Sequence, residues 1–107
     1  MNYKVDMTNV ASQKIASILK DAEKYSVRYK TRLSAKFKKS ILSLAEFPYR
    51  HPLVSEEPWH SRGIRKMPIK PYVAYYDICE EKKLVSVETL CHGKQNQAAI
   101  LEGAFGI

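Results

Sequence analysis

The sequence predicts an α+β domain: an N-terminal strand, an antiparallel helical hairpin, a three-stranded antiparallel meander and a short C-terminal helix. Three observations carry this. Apolar residues recur at helical spacing twice between residues 9 and 47, whereas residues 62–93 alternate at period two with β-branched runs. Pro48, Pro52 and Pro58 separate the two regions. Helix-type and strand-type periodicities that occupy separate parts of a chain point to helices packed on an antiparallel sheet.

The N-terminal strand spans residues 1–8, where Tyr3-Lys4-Val5-Asp6-Met7 alternates apolar and polar residues. Thr8 or Asn9 is placed to cap a helix, since either side chain accepts from a free N–H of the first turn. Ala11, Ile15, Ile18, Leu19 and Ala22 then recur on one stripe, with Lys14, Lys20, Asp21 and Lys24 on the other side. The pattern lapses at Tyr25-Ser26-Val27. It resumes with Tyr29, Leu33, Phe37, Ile41 and Leu44, which predicts a second helix ending near Phe47-Pro48. A break this short folds the two helices back on each other over residues 9–47. One long bent helix is the alternative, because no Gly or Pro interrupts the stretch.

Residues 48–61 are too rich in proline for a helix or a central strand and read as a crossing loop pinned to the core by Trp59. The sheet spans residues 62–93, with turns at Lys70-Pro71 and at residues 80–83. These turns place Met67 opposite Ala74, Ile69 opposite Tyr72, Tyr76 opposite Val87, Ile78 opposite Val85, Cys79 opposite Leu84 and Cys91 opposite Tyr72. One face then collects Met67, Ile69, Ala74, Ile78, Val85, Val87 and Thr89. The other, an open face, collects Arg62, Lys66, Lys70, Val73, Tyr75, Asp77, Ser86, Glu88, Leu90 and His92. A one-residue slip would mix the two sets, so their separation supports the register. Arg65 and Tyr76 fall on the buried side and are expected at its rim. In the C-terminal segment, 94–107, a helix starts near Asn96, and Gly103 and Gly106 argue against its running far.

At 107 residues the chain holds one domain, and 18 Lys and Arg against 11 acids give a net charge of +7. Such a charge favours an anionic partner, nucleic acid or acidic protein. No apolar run approaches the ~20 residues of a membrane span, and MNYKVDMTNV lacks a signal-peptide core, so a cytoplasmic protein without membrane contact is expected. Cys79 and Cys91 are too far apart on the predicted sheet for a bridge and are expected as free thiols. His51 and His60 lack matching carboxylate or cysteine ligands, so neither a metal nor a cofactor is expected.

The blocks Gly63-Ile64-Arg65-Lys66-Met67-Pro68, Tyr72-Val73-Ala74-Tyr75-Tyr76 and Val87-Glu88-Thr89-Leu90-Cys91-His92-Gly93-Lys94 resemble, in order and spacing, blocks of the RelE/ParE superfamily of toxins from type II toxin–antitoxin pairs. The resemblance implies a small basic toxin of the plasmid-stabilisation kind, inhibiting growth and neutralised by a cognate acidic antitoxin encoded next to it. RelE-type members cut mRNA in the ribosome, and ParE-type members block DNA gyrase. RelE-type enzymes usually carry arginine where this chain has Val73 and Gln95, and a tyrosine in the tail that is missing here. "HG" at His92-Gly93 and "RKMP" at 65–68 look more like ParE.

The resemblance therefore implies a ParE-like toxin that binds gyrase without chemistry, through its hairpin and C-terminal segment. On the alternative, a ribosome-dependent endoribonuclease of RelE or HigB type, a base, an acid and cations are needed around the phosphate. His92, Lys66, Glu88 and Tyr75 are the candidate catalytic residues. Arg62, Arg65, Lys66, Lys70 and Lys94 are the candidates for binding nucleic acid or a partner. An inactive or nucleic-acid-binding family member is the third possibility. The ordinary alternative for the charged residues is cross-strand ion pairing among Lys66, Asp77 and Glu88, with His92 as a cap after its strand.

Overall fold

The computed structural model describes residues 2–105. Strand β1 (Lys4–Met7) leads into helices α1 (Asn9–Glu23) and α2 (Val27–Ser43), then strands β2 (Arg65–Ile69), β3 (Tyr72–Cys79) and β4 (Leu84–His92), and helix α3 (Gln97–Phe105). The predicted element order holds, and the two helices form the hairpin rather than one bent rod. Thr8 caps α1 by accepting from the Ala11 N–H at 3.1 Å, and Ser26 caps α2 by accepting from the Tyr29 N–H at 3.0 Å. That second cap restarts the helix at the point where the apolar stripe lapses. Regular helix ends at Ser43, short of Phe47, and residues 44–46 continue as turns.

The sheet has four strands in the order β1-β4-β3-β2. The meander is antiparallel as predicted, while β1 lies parallel to β4, with Val5 beside Val85 and Met7 beside Val87. The predicted register holds from β2 through Tyr76–Val87 and on to Cys79–Leu84. It fails beyond Val87, because Tyr75 pairs with Thr89 and leaves Glu88 as an extra residue in β4. This β-bulge moves every later residue of β4 to the face opposite the one predicted. Thr8 fastens the bulge: its N–H donates to Val87 O at 3.0 Å and its hydroxyl to Glu88 O at 2.6 Å. One residue thus caps α1 and takes up the Glu88 carbonyl.

The displacement corrects three expectations. Leu90 joins the helix-side core, Thr89 leaves it for the other face, and Cys91 lies opposite Val73 rather than Tyr72. Tyr76 is fully buried rather than at a rim, its hydroxyl donating to Pro48 O at 2.6 Å. Arg65 is the residue at the rim: it lies 5.0 Å from the Tyr49 ring centroid and donates to His51 O at 2.7 Å.

Both faces of the sheet are covered. On the helix side Ala11, Ala22, Leu33, Phe37, Ile41 and Leu44 pack on Met67, Ile69, Ala74, Tyr76, Val85, Val87 and Leu90. On the second face, predicted to be open, Val54, Trp59 and Ile64 from the proline-rich loop and Leu101 from α3 pack on Tyr75 and Cys91. Fully burying such a side chain stabilises the fold by about 1.5–3 kcal/mol, which is why a loop and a nine-residue helix hold their places. The loop also covers the β2 edge, with Lys66 N–H donating to Pro52 O at 3.0 Å and Val54 N–H to Ile64 O at 2.9 Å. Helix α3 is longer than expected, running through Gly103 to Phe105; Gly106 lies outside the described residues. Among the described residues no helix is long and apolar enough to cross a membrane.

Candidate functional site

The second face carries a cleft of about 430 Å³ where β2, β3 and the end of β4 meet the proline-rich loop and α3. His51, Lys66, Val73, Tyr75, Cys91 and Gln95 line it. Lys66 and Tyr75 are cross-strand partners, so the antiparallel pairing of β2 with β3 sets a cation beside a phenol. Tyr75 is buried and its hydroxyl donates to Gln97 Oε1 at 2.9 Å; Gln97 in turn donates to Glu56 Oε1 at 2.6 Å. Burial and the neighbouring Cys91 push the Tyr75 phenol well above its ordinary pKa. Burial likewise raises the Cys91 thiol, and burial together with Arg50 lowers His51. All three groups are therefore held neutral at physiological pH.

The four candidate catalytic residues do not converge. Lys66 and Tyr75 share the cleft. Glu88 sits in the bulge beside Asp77, whose carboxyl is pushed up to about 6 by burial and by the Glu88 charge. His92 lies on the helix side, pairing with Tyr72 and meeting its ring edge-on at 5.7 Å between centroids. The bulge is the physical reason: without it His92 would share a face with Tyr75. The expected ion pairing of Lys66 with Asp77 and Glu88 is absent among the described residues, since Lys66 faces Tyr75 and Asp77 faces Ser86.

His92 does act as a cap. Its Nδ1 accepts from the Lys94 N–H at 3.2 Å, which puts the proton of a neutral ring on Nε2. Its own N–H donates to Gln95 Oε1 at 2.8 Å. The following Gly93 approaches the first meander turn, donating to Pro71 O at 2.8 Å, and a Cβ there would stand 3.3 Å from that oxygen. The "HGK" triplet is thus explained by local geometry.

The candidate binding cations divide. Arg62 donates to Phe105 O at 2.9 Å and so holds the end of α3, and Arg65 is engaged with His51 and Tyr49. Lys70 and Lys94 are exposed, and Lys66 is half-buried in the cleft wall. The sequence reading weighed His51 only as a metal ligand and did not place it in a site, yet its Nε2 is buried without a hydrogen-bond partner. No motif marks it, because its placement depends on the loop crossing the β2 edge.

A second hollow, of about 490 Å³, lies on the helix side between β1 and the hairpin. Its walls are mostly apolar, including Val5, Met7, Ile15, Leu19, Phe37 and Ile41. It adjoins the outer edge of β1, which among the described residues pairs only with β4.

The fold is similar to that of known toxins. The M. tuberculosis toxin–antitoxin complex RelBE2 contains a chain with 20% identity and a TM-score of 0.59, the match covering 86% of this chain and 92% of that one. A double mutant of the E. coli toxin RelE in the free state matches at 20% identity and a TM-score of 0.56, over 97% of this chain and 94% of that one. No curated protein matches the sequence. The family described as the ParE toxin of the type II toxin–antitoxin system parDE matches residues 5–97. With that match running from β1 to the start of α3, the chain belongs to the ParE toxin family of type II toxin–antitoxin systems.

Proposed function

We propose that this toxin arrests growth in the cytoplasm by binding DNA gyrase, without covalent chemistry, and is neutralised by a cognate acidic antitoxin. The observation that carries the non-enzymatic part is the separation of the would-be catalytic groups. His92 and Tyr75 stand on opposite faces of the sheet. RNA cleavage needs a base at the 2′-hydroxyl and an acid at the leaving oxygen within hydrogen-bond reach of one phosphate. Within the cleft, the Tyr75 hydroxyl is already engaged with Gln97. Family membership supports gyrase as the target.

The apolar hollow beside the free β1 edge suits the antitoxin. A segment there gains main-chain hydrogen bonds by adding a strand, or buries an amphipathic helix between β1 and the hairpin. A net charge of +7 draws an acidic chain to it. On the same reading the toxin and its antitoxin act as a plasmid-stabilisation pair.

Purified protein added to a gyrase supercoiling reaction is expected to inhibit it, and induced expression to trigger DNA-damage signalling while mRNA stays intact. Cut mRNA and an early stop in protein synthesis would instead identify the ribosome-dependent endoribonuclease. Lys66 beside Tyr75 in the cleft is the feature that favours that second reading. In that case Lys66→Ala relieves toxicity and His92→Ala does not. No growth defect at all would point to an inactive or nucleic-acid-binding member.

A further inference from the structure

Helix α2 carries six of the chain's 18 basic residues and none of its 11 acids: Arg28, Lys30, Arg32, Lys36, Lys38 and Lys39. A helix face that is merely solvated mixes the two signs at spacings of three and four, where they attract. Here those spacings join like charges, Arg28 to Arg32, Arg32 to Lys36 and Lys36 to Lys39. Among the described residues only Lys30 of the six pairs with an acid, Glu23. The buried side chains of α2 are Leu33, Phe37 and Ile41, one narrow stripe, so the helix stands proud of the domain with the other five cations exposed. We propose that the outer ridge of α2 is a docking surface for double-stranded DNA, which it grips by the phosphates on either side of the major groove.

At 3.6 residues per turn and 1.5 Å of rise, Arg28, Arg32 and Lys39 fall on one line of the helix, about 6 Å and then about 10 Å apart along its axis. Lys38 lies to one side of that line and Lys36 to the other. The Lys36 ammonium donates to Lys70 O at 2.6 Å, so Lys70, itself exposed, stands at the same flank. A helix with its side chains is about 10–12 Å across, and the major groove of B-form DNA is about 12 Å wide. A cationic ridge with a cation on each flank therefore meets both phosphate walls. Other anionic surfaces fit less well. A protein interface needs a desolvated apolar or aromatic centre, whereas the exposed Tyr25, Val27 and Leu42 stand at the ends of the ridge, and Thr31 and Ala35 lie between its cations. The major groove of A-form RNA is too deep and narrow to be read this way, and a membrane surface calls for an exposed apolar face. The surface adds to the gyrase reading and does not rest on it.

The test is binding of the intact toxin to a short fluorescein-labelled DNA duplex of mixed sequence, followed by anisotropy over a series of salt concentrations with no gyrase present. Half-saturation near physiological salt is expected at about 1–100 μM, the range of sequence-independent contact. The triple variant Arg28→Gln/Arg32→Gln/Lys39→Gln removes three phosphate contacts and should lower the magnitude of the slope of log K against log salt by about 3. A control triple, Lys4→Gln/Lys20→Gln/Lys82→Gln, removes the same charge from exposed positions outside α2 and should lower it by less than about 1. Both triples should leave the circular dichroism spectrum unchanged, since every side chain replaced is exposed. Equal falls in the two triples would overturn the proposal, because binding would then follow net charge alone. So would an absence of binding at the lowest salt, or tighter binding of duplex RNA or of polyglutamate than of DNA. With gyrase left out, these outcomes stand apart from the result of the supercoiling assay.

Discussion

Thr89 gives the sharpest test of the bulged sheet. Its side chain is fully buried on the second face, and its hydroxyl has no hydrogen-bond partner. A buried hydroxyl without a partner costs about 1–3 kcal/mol by mutational measure. Thr89→Val keeps the β-branched shape and replaces the hydroxyl with a methyl group, so the variant should be more stable by about 1–2 kcal/mol. With a urea m-value of about 1–3 kcal/mol/M for small proteins, the midpoint should rise by roughly 0.3–2 M at constant m. In thermal unfolding, each 1 kcal/mol is worth about 4–8 °C for a domain near this size. The single tryptophan, Trp59, is buried in the core of the same face and reports the transition by fluorescence. A midpoint that falls, or stays fixed within error, would show that the hydroxyl is satisfied and would refute the placement of Thr89 on that face.

Two substitutions should move stability the opposite way. Tyr76→Phe strips the hydroxyl from Pro48 O inside the helix-side core and should cost about 1–2 kcal/mol in the same urea assay. Leu101→Ala removes the fully buried side chain of α3; a loss of about 2–5 kcal/mol is expected, with faster amide exchange across residues 97–105. Asp77 should make stability depend on pH. Its folded pKa of about 6 lies above the ordinary 3.8, so the folded chain holds this proton more tightly than the unfolded one. The resulting stabilisation is fully present below about pH 4 and is lost as pH rises through about 6. Asp77→Asn should therefore gain on the parent between those values, and an unchanged difference across that range would contradict the shared Asp77–Glu88 environment.

The helices, the first cap and the two meander turns were legible because each rests on local signals: apolar stripes, Thr8 as a cap, and proline or charged turn residues; the Ser26 cap showed only as a lapse in the stripe. The parallel pairing of β1 with β4 was not, since no local pattern says which strand an edge strand will join. Nor was the bulge. Val85, Val87 and Thr89 continue a regular alternation, and the extra residue is stabilised from a distance by Thr8, about eighty positions away in the chain. Assigning the second face as open failed for a related reason. The cover comes from Val54, Trp59, Ile64 and Leu101, which are scattered among prolines, glycines and polar residues and have no periodicity of their own. Of the candidate site residues, Lys66 and Tyr75 came together because they pair across β2 and β3, which the bulge in β4 leaves in register; His92 follows the bulge and was lost from the set.

One extra residue in β4 also changes what a short deletion can do to this chain. Removing Glu88 would leave Thr89 directly after Val87 and still opposite Tyr75, so the strand would alternate regularly with Thr89 and Cys91 on the loop side and Leu90 and His92 on the hairpin side, as they are now. What would go is the carbonyl that takes the Thr8 hydroxyl. A single three-nucleotide event would thus straighten the strand and cut its tie to the start of α1 while sparing the chemistry of both surfaces.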